Sequence, residues 1–396
     1  MPSAGSSPAH ASSIIGWEHS VFGRLEAPSV TELMAAVVPG ALAHAGMQAD
    51  DIDAVFAGVY NNGFSNQGFE AGLVSMAVPE LAHVPAARLE NACATGSAAL
   101  YAALDFIESG RGRAALVVGA EKMTGVPTAR ASEILLSGCY RPEEDTVDAG
   151  FAGVFASIAQ AYSERYRDPA AAMARIAAKN HRNGVTNPYA QMRKDLGFDF
   201  CNTVSEKNPL VAPPMRRTDC SLISDGAVAL VVASPDVAKA APRRVGFRAR
   251  AQANDFMALS RRDPLEFAGV RKAWAASLQQ AAITAQDLDF IETHDCFTIA
   301  ELLQYEALGL AERGQGHRVL EDGLVDPDGK LPVNRSGGLK AKGHPLGATG
   351  VSMHAVAAMQ LTGGAGEMQL PRAELAGVFN MGGVAVANYA SVLEAW

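Results

Sequence analysis

Short apolar runs rich in β-branched residues alternate with alanine-rich segments along the chain. The apolar runs at 54–60, 114–120 and 227–233 are typical of buried strands. The alanine-rich segments at 32–46 and 94–110 are typical of helices, and each ends at a glycine, as a helix with a left-handed C-cap does. Alternation of this kind predicts an α/β protein whose sheet carries helices on its faces.

The same landmarks occur in the same order in the two halves of the chain. The paired segments are 50–55 with 286–291, 94–96 with 348–350, and 114–120 with 375–383. Agreement of several landmarks in order favours a duplicated unit over chance matches. With 396 residues, the chain is long enough for two globular units of similar size.

The predicted division of the chain has three parts. Residues 1–121 and 213–238 form a first half, and residues 239–396 form a second half. The segment 122–212 departs from the alternation, and its prolines and mixed polarity predict a loop-rich insertion over the first half. Long connections inside compact domains are usually functional, so we expect this insertion to cover a ligand site.

Charge and cysteine content limit the classes of function. The net charge of −9 argues against general binding to nucleic acids or acidic membranes, which favour a basic excess. The five cysteines are scattered without a Cys-x-x-Cys pair, which fits free thiols in a reducing compartment. The start, MPSAGSSPAHASS, lacks a signal-peptide profile, and no apolar run approaches the ~18–20 residues of a membrane span. We expect a cytoplasmic protein without a metal site.

Cys93 lies in the segment NACATGSAAL, where a short apolar approach meets a predicted helix. At the start of a helix, unpaired backbone amides and the positive end of the dipole favour a thiolate over a thiol. The small residues around Cys93 leave room for an acyl chain. A buried structural cysteine is the alternative, and this segment alone leaves both interpretations open.

His344 lies in the segment GGLKAKGHPLGATG. Five glycines and one proline in these fourteen residues fix an unusual backbone path just before a predicted helix. An imidazole on a rigid turn suits a cysteine nucleophile, first as proton acceptor and later as donor. The alternatives are a glycine-rich turn with an incidental histidine, and a phosphate-binding loop, although the GxxxxGK[ST] pattern is absent.

A third polar segment, ETHDCFT at 292–298, follows a predicted strand and precedes a predicted helix. His294, Asp295 and Cys296 together could suggest a metal site. Consecutive side chains point in different directions, however, and no second cluster has metal-ligand spacing. A metal at this segment is therefore disfavoured.

Together these segments resemble the thiolase superfamily over essentially the whole chain. The resemblance is carried by FGRL at 22–25, AHAGMQADDIDAV, NACATGSAAL, SDGA at 224–227, HDCFT and GGLKAKGHPLGATG. It implies the thiolase fold, in which two duplicated βαβαβαββ-type halves form a layered α-β-α-β-α arrangement. It also implies acyl transfer on coenzyme A thioesters, with Cys93 as the acylated nucleophile and His344 as its base.

Two boxes differ from the usual thiolase pattern. The usual Asn-Glu-Ala-Phe box is His-Asp-Cys-Phe here, at 294–297, and the usual Cys-x-Gly box is Asn-Met-Gly at 380–382. The ordinary second catalytic cysteine is therefore missing, and Asn380 cannot replace it as acid or base. This pattern is similar to that of the sterol-carrier-protein-type thiolases.

That narrower resemblance implies a role for each remaining site residue. Cys296 takes over proton transfer at the α-carbon of acetyl-CoA. His294 contributes to an oxyanion site together with His344. The backbone amides of Gly382 and Cys93 form a second oxyanion hole.

The resemblance further implies coenzyme A as a substrate and no permanently bound cofactor. Ser221 matches a family serine that contacts the pantetheine part of coenzyme A. Four basic residues are candidates for its phosphates, although solvated surface charge explains them equally well: Arg193, Lys194, Arg216 and Arg217. Cys139, Cys201 and Cys220 are interpreted as structural.

The predicted reaction is thiolytic cleavage of a 3-ketoacyl-CoA, or the reverse Claisen condensation. One alternative is a decarboxylating ketoacyl synthase, which also uses a cysteine and two histidines. Another is a thiolase-like subunit that works with a small OB-fold zinc-ribbon protein. Cys296 and the KAKGHPLGATG context argue against the synthase, and the presence of Cys93 argues against a subunit without its own activity. The family implies a homodimer or homotetramer, and the sequence leaves acyl-chain length and physiological direction open.

Overall fold

Eleven strands and fifteen α-helices occupy the part of the chain that the computed structural model describes, residues 11–145 and 147–396. The polar start predicted not to be a signal peptide lies largely outside these residues. The strands are β1 (Ser13–His19), β2 (Ala54–Gly58), β3 (Ala86–Leu89), β4 (Ala114–Glu121), β5 (Leu210–Ala212), β6 (Met215–Arg216), β7 (Gly226–Ala233), β8 (Val245–Asn254), β9 (Phe290–Glu292), β10 (Leu375–Gly382) and β11 (Ala387–Ala395). The helices are α1 (Val30–Ala35), α2 (Val38–Ala45), α3 (Glu70–Ala77), α4 (Thr95–Glu108), α5 (Thr128–Leu135), α6 (Arg141–Glu144), α7 (Phe151–Arg165), α8 (Ala170–Gly184), α9 (Phe198–Asn202), α10 (Pro235–Ala238), α11 (Ala268–Ala281), α12 (Thr298–Ala307), α13 (Gly316–Glu321), α14 (Gly338–Lys342) and α15 (Leu346–Leu361).

The strands repeat one topology in the two halves of the chain. In the first half the order is β3-β2-β4-β7-β1, with β3, β2 and β4 parallel and the other neighbours antiparallel. In the second half Val333 pairs in parallel with β9, and the order continues β9-β10-β11-β8 with the same directions. Two residue pairs between β1 and β8 join the halves. The predicted α/β fold of two duplicated halves is confirmed.

The helices form the predicted layers around these strands. Helices α1 and α2 pack on the outer side of the first half, and α11 packs on β8 and β11 of the second. Helices α4 and α15 pack on each other between the halves. A side chain on Gly96 of α4 would meet the amide nitrogen of Val351 at 2.7 Å. The repeated Ala-Thr-Gly segments therefore mark the crossing point of the two central helices, where their backbones touch.

The segment between the halves lies against the second half through buried polar contacts. Lys179 of α8 forms an ion pair with Glu301 of α12 at 2.8 Å, and both side chains are almost fully buried. Asn180 donates to Glu301 and to Asp295, each at 2.7 Å. A buried charge is costly without a partner, so these bonds fix where α8 lies.

One predicted helix and one predicted strand are shorter in the structure than their apolar sequence patterns indicate. The segment 32–46 forms two helices because Pro39, in the first turn of α2, has no N–H to donate to Ala35. Strand β2 stops at Gly58, since the amides of Tyr60 and Asn61 donate to the carboxylate of Glu121 instead of a neighbouring strand. In the described part of the chain, none of the helices has the length and apolarity needed to cross a membrane.

Candidate active site

Three helices begin beside one cavity, and a predicted site residue precedes each of them. Cys93 comes just before α4, Cys296 just before α12, and His344 just before α15. All three residues line the same cavity. Because the first turn of a helix has free N–H groups and a positive dipole end, this arrangement suits negative charge that develops in the cavity.

The turn that carries Cys93 is held by the hydroxyl of Thr95. This hydroxyl accepts the N–H of Asn91 at 2.8 Å and donates to the carbonyl oxygen of Ala92 at 2.7 Å. Ala92 has φ of +50°, which a residue with a side chain adopts at a cost. The fold therefore imposes a strained turn that places Cys93 at the cavity wall.

The surroundings of Cys93 keep its thiol protonated in the resting site. The residue is 5% exposed. This burial raises the pKa of the thiol to about 12, and the nearby backbone N–H of Gly383 offsets only part of the rise. A helix start favours the thiolate, whereas burial favours the neutral thiol, and the pKa of Cys93 lies above its usual value.

His344 is fixed by bonds on both sides. Its backbone N–H donates to Ser224 Oγ at 3.0 Å, and its Nδ1 is 2.8 Å from Thr349 Oγ1. Gly343, with φ of +114°, supplies the turn before it, where a side chain would meet Ser224. Burial, with the charge of Lys342 nearby, lowers the pKa of His344 to about 3, so the ring is neutral.

Cys93, His294 and His344 come together. Cys93 Sγ and one nitrogen of each ring all lie within 4.8 Å of one another. The two rings are nearly perpendicular, with centroids 5.1 Å apart. Burial also lowers the pKa of His294 well below its usual value, so a neutral thiol faces two neutral imidazoles.

Cys296 lines the same cavity as Cys93 but lies outside this three-residue group. It is 2% exposed, and burial raises the pKa of its thiol well above the usual value. Its carbonyl oxygen accepts the N–H of Ser221 at 2.9 Å, which ties the His-Asp-Cys-Phe segment to the strand entry before β7. Cys296 is therefore a protonated thiol at neutral pH, suited to giving a proton.

Asp295 joins the predicted His-Asp-Cys-Phe box to the loop that carries His344, a contact that sequence reasoning missed. Its carboxylate accepts the N–H groups of Leu339 at 2.6 Å and Lys340 at 3.1 Å, as well as the Asn180 amide. Burial and the charge of Glu301 raise its pKa to about 7. The two boxes are thus one rigid unit.

Glu121 makes a second such link, also missed from the sequence. It lies at the end of β4 and accepts the N–H of Gly347 at 2.9 Å, in addition to two amides beyond β2. A buried carboxylate that faces three fixed amides is a strong anchor. The only advance signal was a lone acidic residue that ends a fully apolar strand.

The Asn-Met-Gly segment lies directly behind Cys93. Asn380 is fully buried and contacts both the Cys93 carbonyl and the His294 ring. Gly382 packs against the Asn91 carbonyl so closely that a side chain there would collide with it. The amide that reaches the Cys93 sulfur belongs to Gly383, and an oxyanion role for Gly382 stays a prediction.

The cavity has a volume of about 170 Å³ and opens to solvent. Its apolar wall is formed by Met123, Leu135, Phe151, Val211, Leu222, Ile223, Phe297 and Leu346. Several of these residues come from 122–212, which therefore forms one side of the cavity. Half-buried Ser221 also lines it, where its role toward coenzyme A stays a prediction.

The basic phosphate candidates differ in their surroundings. Arg216 is buried, pairs with Asp219 at 2.8 Å and donates to the Ala170 carbonyl, so it is structural and unsuitable for a phosphate. Arg193, Lys194 and Arg217 are exposed and remain predictions. Of the cysteines interpreted as structural, Cys139 and Cys201 are buried away from solvent, whereas Cys220 lines the cavity.

Comparison with known proteins agrees with this geometry. Residues 13–236 match the family model "Thiolase, N-terminal domain", and residues 251–395 match "Thiolase C-terminal domain-like". An acetyl-CoA acetyltransferase of Methanothermobacter thermautotrophicus is 35% identical over 377 residues, covering 93% of this chain and 96% of the relative. Human sterol carrier protein 2 is 32% identical over 323 residues, covering 76% of this chain and 56% of the relative.

Two solved structures share the fold. The Ltp2-ChsH2(DUF35) aldolase superposes with a TM-score of 0.82 at 20% identity, over 98% of this chain and 99% of that chain. A monomeric SCP2-thiolase-like protein of Mycobacterium smegmatis superposes with a TM-score of 0.68 at 18% identity, over 97% of this chain and 77% of that chain. The chain therefore belongs to the thiolase superfamily, in its sterol-carrier-protein type, and is an acyltransferase.

Proposed function

We propose that this enzyme cleaves 3-ketoacyl-CoA with coenzyme A, or runs the reverse condensation, through an acyl group on Cys93. The observation that carries the proposal is the convergence of Cys93, His294 and His344 within 4.8 Å, at a cavity that also holds the thiol of Cys296. A nucleophile, a base, an oxyanion donor and a second proton carrier are the groups that this reaction requires.

In the cleavage direction, the Cys93 sulfur attacks the 3-keto carbon and its proton passes to His344. The bond between C2 and C3 of the substrate then breaks and leaves an acyl group on sulfur and the enolate of acetyl-CoA. Cys296 gives its proton to the enolate carbon. The thiol of coenzyme A next gives its proton to the Cys296 thiolate and attacks the acyl-Cys93. The shortened acyl-CoA leaves, and His344 returns its proton to the Cys93 sulfur.

The neutral resting state fits this sequence of steps. Burial raises the pKa of Cys93 to about 12 and lowers that of His344 to about 3, so the thiolate forms only as the substrate is attacked. The Gly383 amide and the start of α4 stabilise the charge when it appears. A thiol held neutral also resists oxidation between turnovers.

The direct test is turnover of purified protein on a panel of 3-ketoacyl-CoAs with coenzyme A. We expect Cys93→Ala to abolish turnover and to eliminate the acyl adduct detected by mass spectrometry. Cys296→Ala should retain the adduct and lose proton exchange on acetyl-CoA. Cys201→Ala is the matched control, since this buried thiol lies outside the cavity. Full turnover by Cys93→Ala would overturn the proposal.

A second candidate is a decarboxylating ketoacyl synthase, favoured by the grouping of one cysteine with two histidines. In that reaction the enolate arises by loss of carbon dioxide from a malonyl thioester, and no second thiol is needed. Strict dependence on a malonyl thioester, with unimpaired activity in Cys296→Ala, would establish this alternative.

Coenzyme A is the substrate in our proposal, held along Ser221 with Arg193, Lys194 and Arg217 toward its phosphates. A small OB-fold zinc-ribbon partner is the alternative assembly, since the solved aldolase of the same fold contains a second component, ChsH2(DUF35). Co-purification of this chain with a small zinc protein, together with inactivity of the isolated chain, would favour that assembly.

We also propose a cytoplasmic homo-oligomer joined through the first half. Strand β3 has β2 as its strand neighbour on one side, and Ala86 and Ala87 on it are exposed. The nearby helix α3 exposes Met76 at 72%, and Phe69 before it is 83% exposed. An open strand edge beside apolar side chains favours pairing with a second copy. Mass measurement in solution separates monomer, dimer and tetramer.

A further inference from the structure

Asn380 connects the nucleophile to one of the two histidines. It lies near the end of β10 and is fully buried. Its side-chain Nδ2 is 3.2 Å from the carbonyl oxygen of Cys93 and 2.8 Å from His294 Nδ1. Its Oδ1 is 2.7 Å from Ser97 Oγ. The amide thus has a partner for every group it presents.

Hydrogen-bond chemistry fixes the orientation of this amide. A carbonyl oxygen can only accept, so the –NH2 end of Asn380 must face Cys93, and the oxygen end must face the Ser97 hydroxyl. One N–H of the –NH2 group donates to the Cys93 carbonyl, and the other points at His294 Nδ1. That nitrogen must therefore be the unprotonated acceptor of the ring.

The proton of His294 is consequently on Nε2. Burial keeps the ring neutral by holding its pKa well below the usual value, so it carries a single proton. His294 Nε2 is buried and has no hydrogen-bond partner among the described residues. It is an N–H donor without an acceptor, beside the nucleophile.

His344 is held in the opposite state. The Thr349 hydroxyl lies 2.9 Å from the Pro345 carbonyl oxygen, which can only accept. Because this hydroxyl has one proton and donates it there, it must accept a hydrogen bond from His344 Nδ1. The lone pair of His344 is then on Nε2, which is likewise buried without a partner in the described structure.

We infer that Asn380 is a positioning residue that fixes His294 as an Nε2–H donor, while Thr349 fixes His344 as an Nε2 acceptor. This inference rests on the proposed function and assigns a different role to each histidine. His344 takes the Cys93 proton, and His294 donates a hydrogen bond to the oxygen of the bound thioester. Position 380, where the usual second cysteine is missing, thus acts on catalysis through His294.

These proton positions also predict that the thiol and the two imidazoles form a poor zinc site. Cys93, His294 and His344 are ligand types that Zn²⁺ prefers, and they lie close enough to share one ion. A ring nitrogen that carries a proton cannot ligate a metal. By keeping the proton on His294 Nε2, Asn380 removes one of the three ligands.

The test is Asn380→Asp, which replaces the donor facing His294 Nδ1 with an acceptor. The single proton of the neutral ring then moves to Nδ1, and Nε2 becomes a lone pair. Nitrogen NMR of histidine-labelled protein at pH 8 reads this directly. We expect His294 to be protonated on Nε2 in the wild type and on Nδ1 in the variant. The Nδ1 form in the wild type would overturn the inference.

Zinc affinity is a second readout that requires no turnover. Titration with zinc chloride should show binding about 10- to 100-fold tighter in Asn380→Asp than in the wild type. Cys93→Ser in the same background corrects for surface sites. Asn380→Ala, which supplies no acceptor, should show a much smaller gain and serves as the second variant if the aspartate variant does not fold. Equal zinc affinity in all variants would contradict the inference.

The pH profile is the third readout. The ionisable groups near His294 are His344 and the thiols of Cys93 and Cys296, all neutral at pH 7. The Asp295 carboxyl, which bonds to the Leu339 amide and has a pKa of about 7, is present in both wild type and variant. In Asn380→Asp, the Nε2–H survives only while the new carboxyl–imidazole pair retains its extra proton.

Activity of Asn380→Asp should therefore fall about 10²- to 10³-fold as pH rises through the pKa of that pair, the cost of losing one oxyanion donor. Any limb from Asp295 or Glu121, whose pKa values are both about 7, is shared by the two proteins, so this additional fall should occur only in the variant. An identical profile in both proteins would contradict the positioning role. If neither protein cleaves any 3-ketoacyl-CoA while NMR and zinc binding change as expected, the positioning stands and the proposed reaction fails.

Discussion

Replacing Asp295 should disconnect the two loops that flank the nucleophile. Its carboxylate accepts three hydrogen bonds from buried donors, the amides of Leu339 and Lys340 and the side chain of Asn180. Asp295→Ala would orphan all three donors, and each orphan costs about 1–3 kcal/mol, so we expect a loss of roughly 3–9 kcal/mol in the free energy of unfolding. The side chain of Asn180 keeps its bond to Glu301, which favours the lower end.

Asp295→Asn should lower the free energy of unfolding less than Asp295→Ala does, because an asparagine can keep part of the hydrogen-bonding pattern. Oδ2 accepts from Lys340 and Asn180, and Oδ1 accepts from Leu339. An asparagine can orient its oxygen toward the pair of donors and lose one bond, which costs about 1–3 kcal/mol. Urea unfolding followed by circular dichroism measures both variants.

The matched control is Asp289, at the opposite end of β9. Its carboxylate also accepts two backbone amides, those of Glu374 and Leu375, but it lies away from the cavity. Asp289→Ala should lower stability without changing kcat of the folded enzyme, whereas Asp295→Ala should lower both. Unfolding free energies within 1 kcal/mol of wild type for Asp295→Ala, or equal losses of kcat in both variants, would refute the reasoning.

Two further predictions concern the buried groups around this site. Burial lowers the pKa of His181 to about 3. Below pH 6.5 the unfolded chain therefore binds more protons than the folded protein, and stability falls as pH falls. Between pH 7 and 5 the resulting loss in the free energy of unfolding is about 2 kcal/mol. Between pH 7 and 5, the free energy of unfolding of His181→Gln should fall by about 2 kcal/mol less than that of the wild type, as measured by urea unfolding. His83→Gln, at an exposed histidine, is the control and should behave as the wild type does. Equal falls in all three proteins would exclude the mechanism. Gly96→Ala should destabilise by about 1–3 kcal/mol because its new methyl meets the backbone of α15, whereas Gly68→Ala, which meets nothing, should leave the melting temperature unchanged.

The order of strands and helices was predictable because it depends on local sequence patterns. Periodicity and glycine caps placed the strands and helices, and the paired Ala-Thr-Gly segments predicted a duplication that strand order confirms. The apolar pattern predicted one helix over 32–46, but Pro39 divides this segment into two helices. Such a break depends on one missing N–H, so it is predicted from the proline itself and not from the apolar pattern.

The electrostatics of the site were less predictable. The helix start before Thr95 was visible in the sequence, but the burial that raises the pKa of Cys93 comes from residues far along the chain that close the cavity. The amide of Asn380 and the carboxylate of Asp295 act across 287 and 45 positions, respectively. No local motif encodes such a bond, because either partner alone is an ordinary polar residue.

The two departures from the usual thiolase boxes are parts of one exchange. A histidine at position 294 serves as an oxyanion donor only if something holds its proton on Nε2. A cysteine at position 380 has one weak S–H and could not donate both to the Cys93 carbonyl and to the His294 ring, whereas Asn380 does both. In the proposed mechanism the acid–base thiol is then supplied from elsewhere on the cavity wall, where Cys296 lies. In the proposed mechanism, asparagine at 380 thus suits the histidine at 294 to its role as donor, and Cys296 supplies the thiol that position 380 lacks.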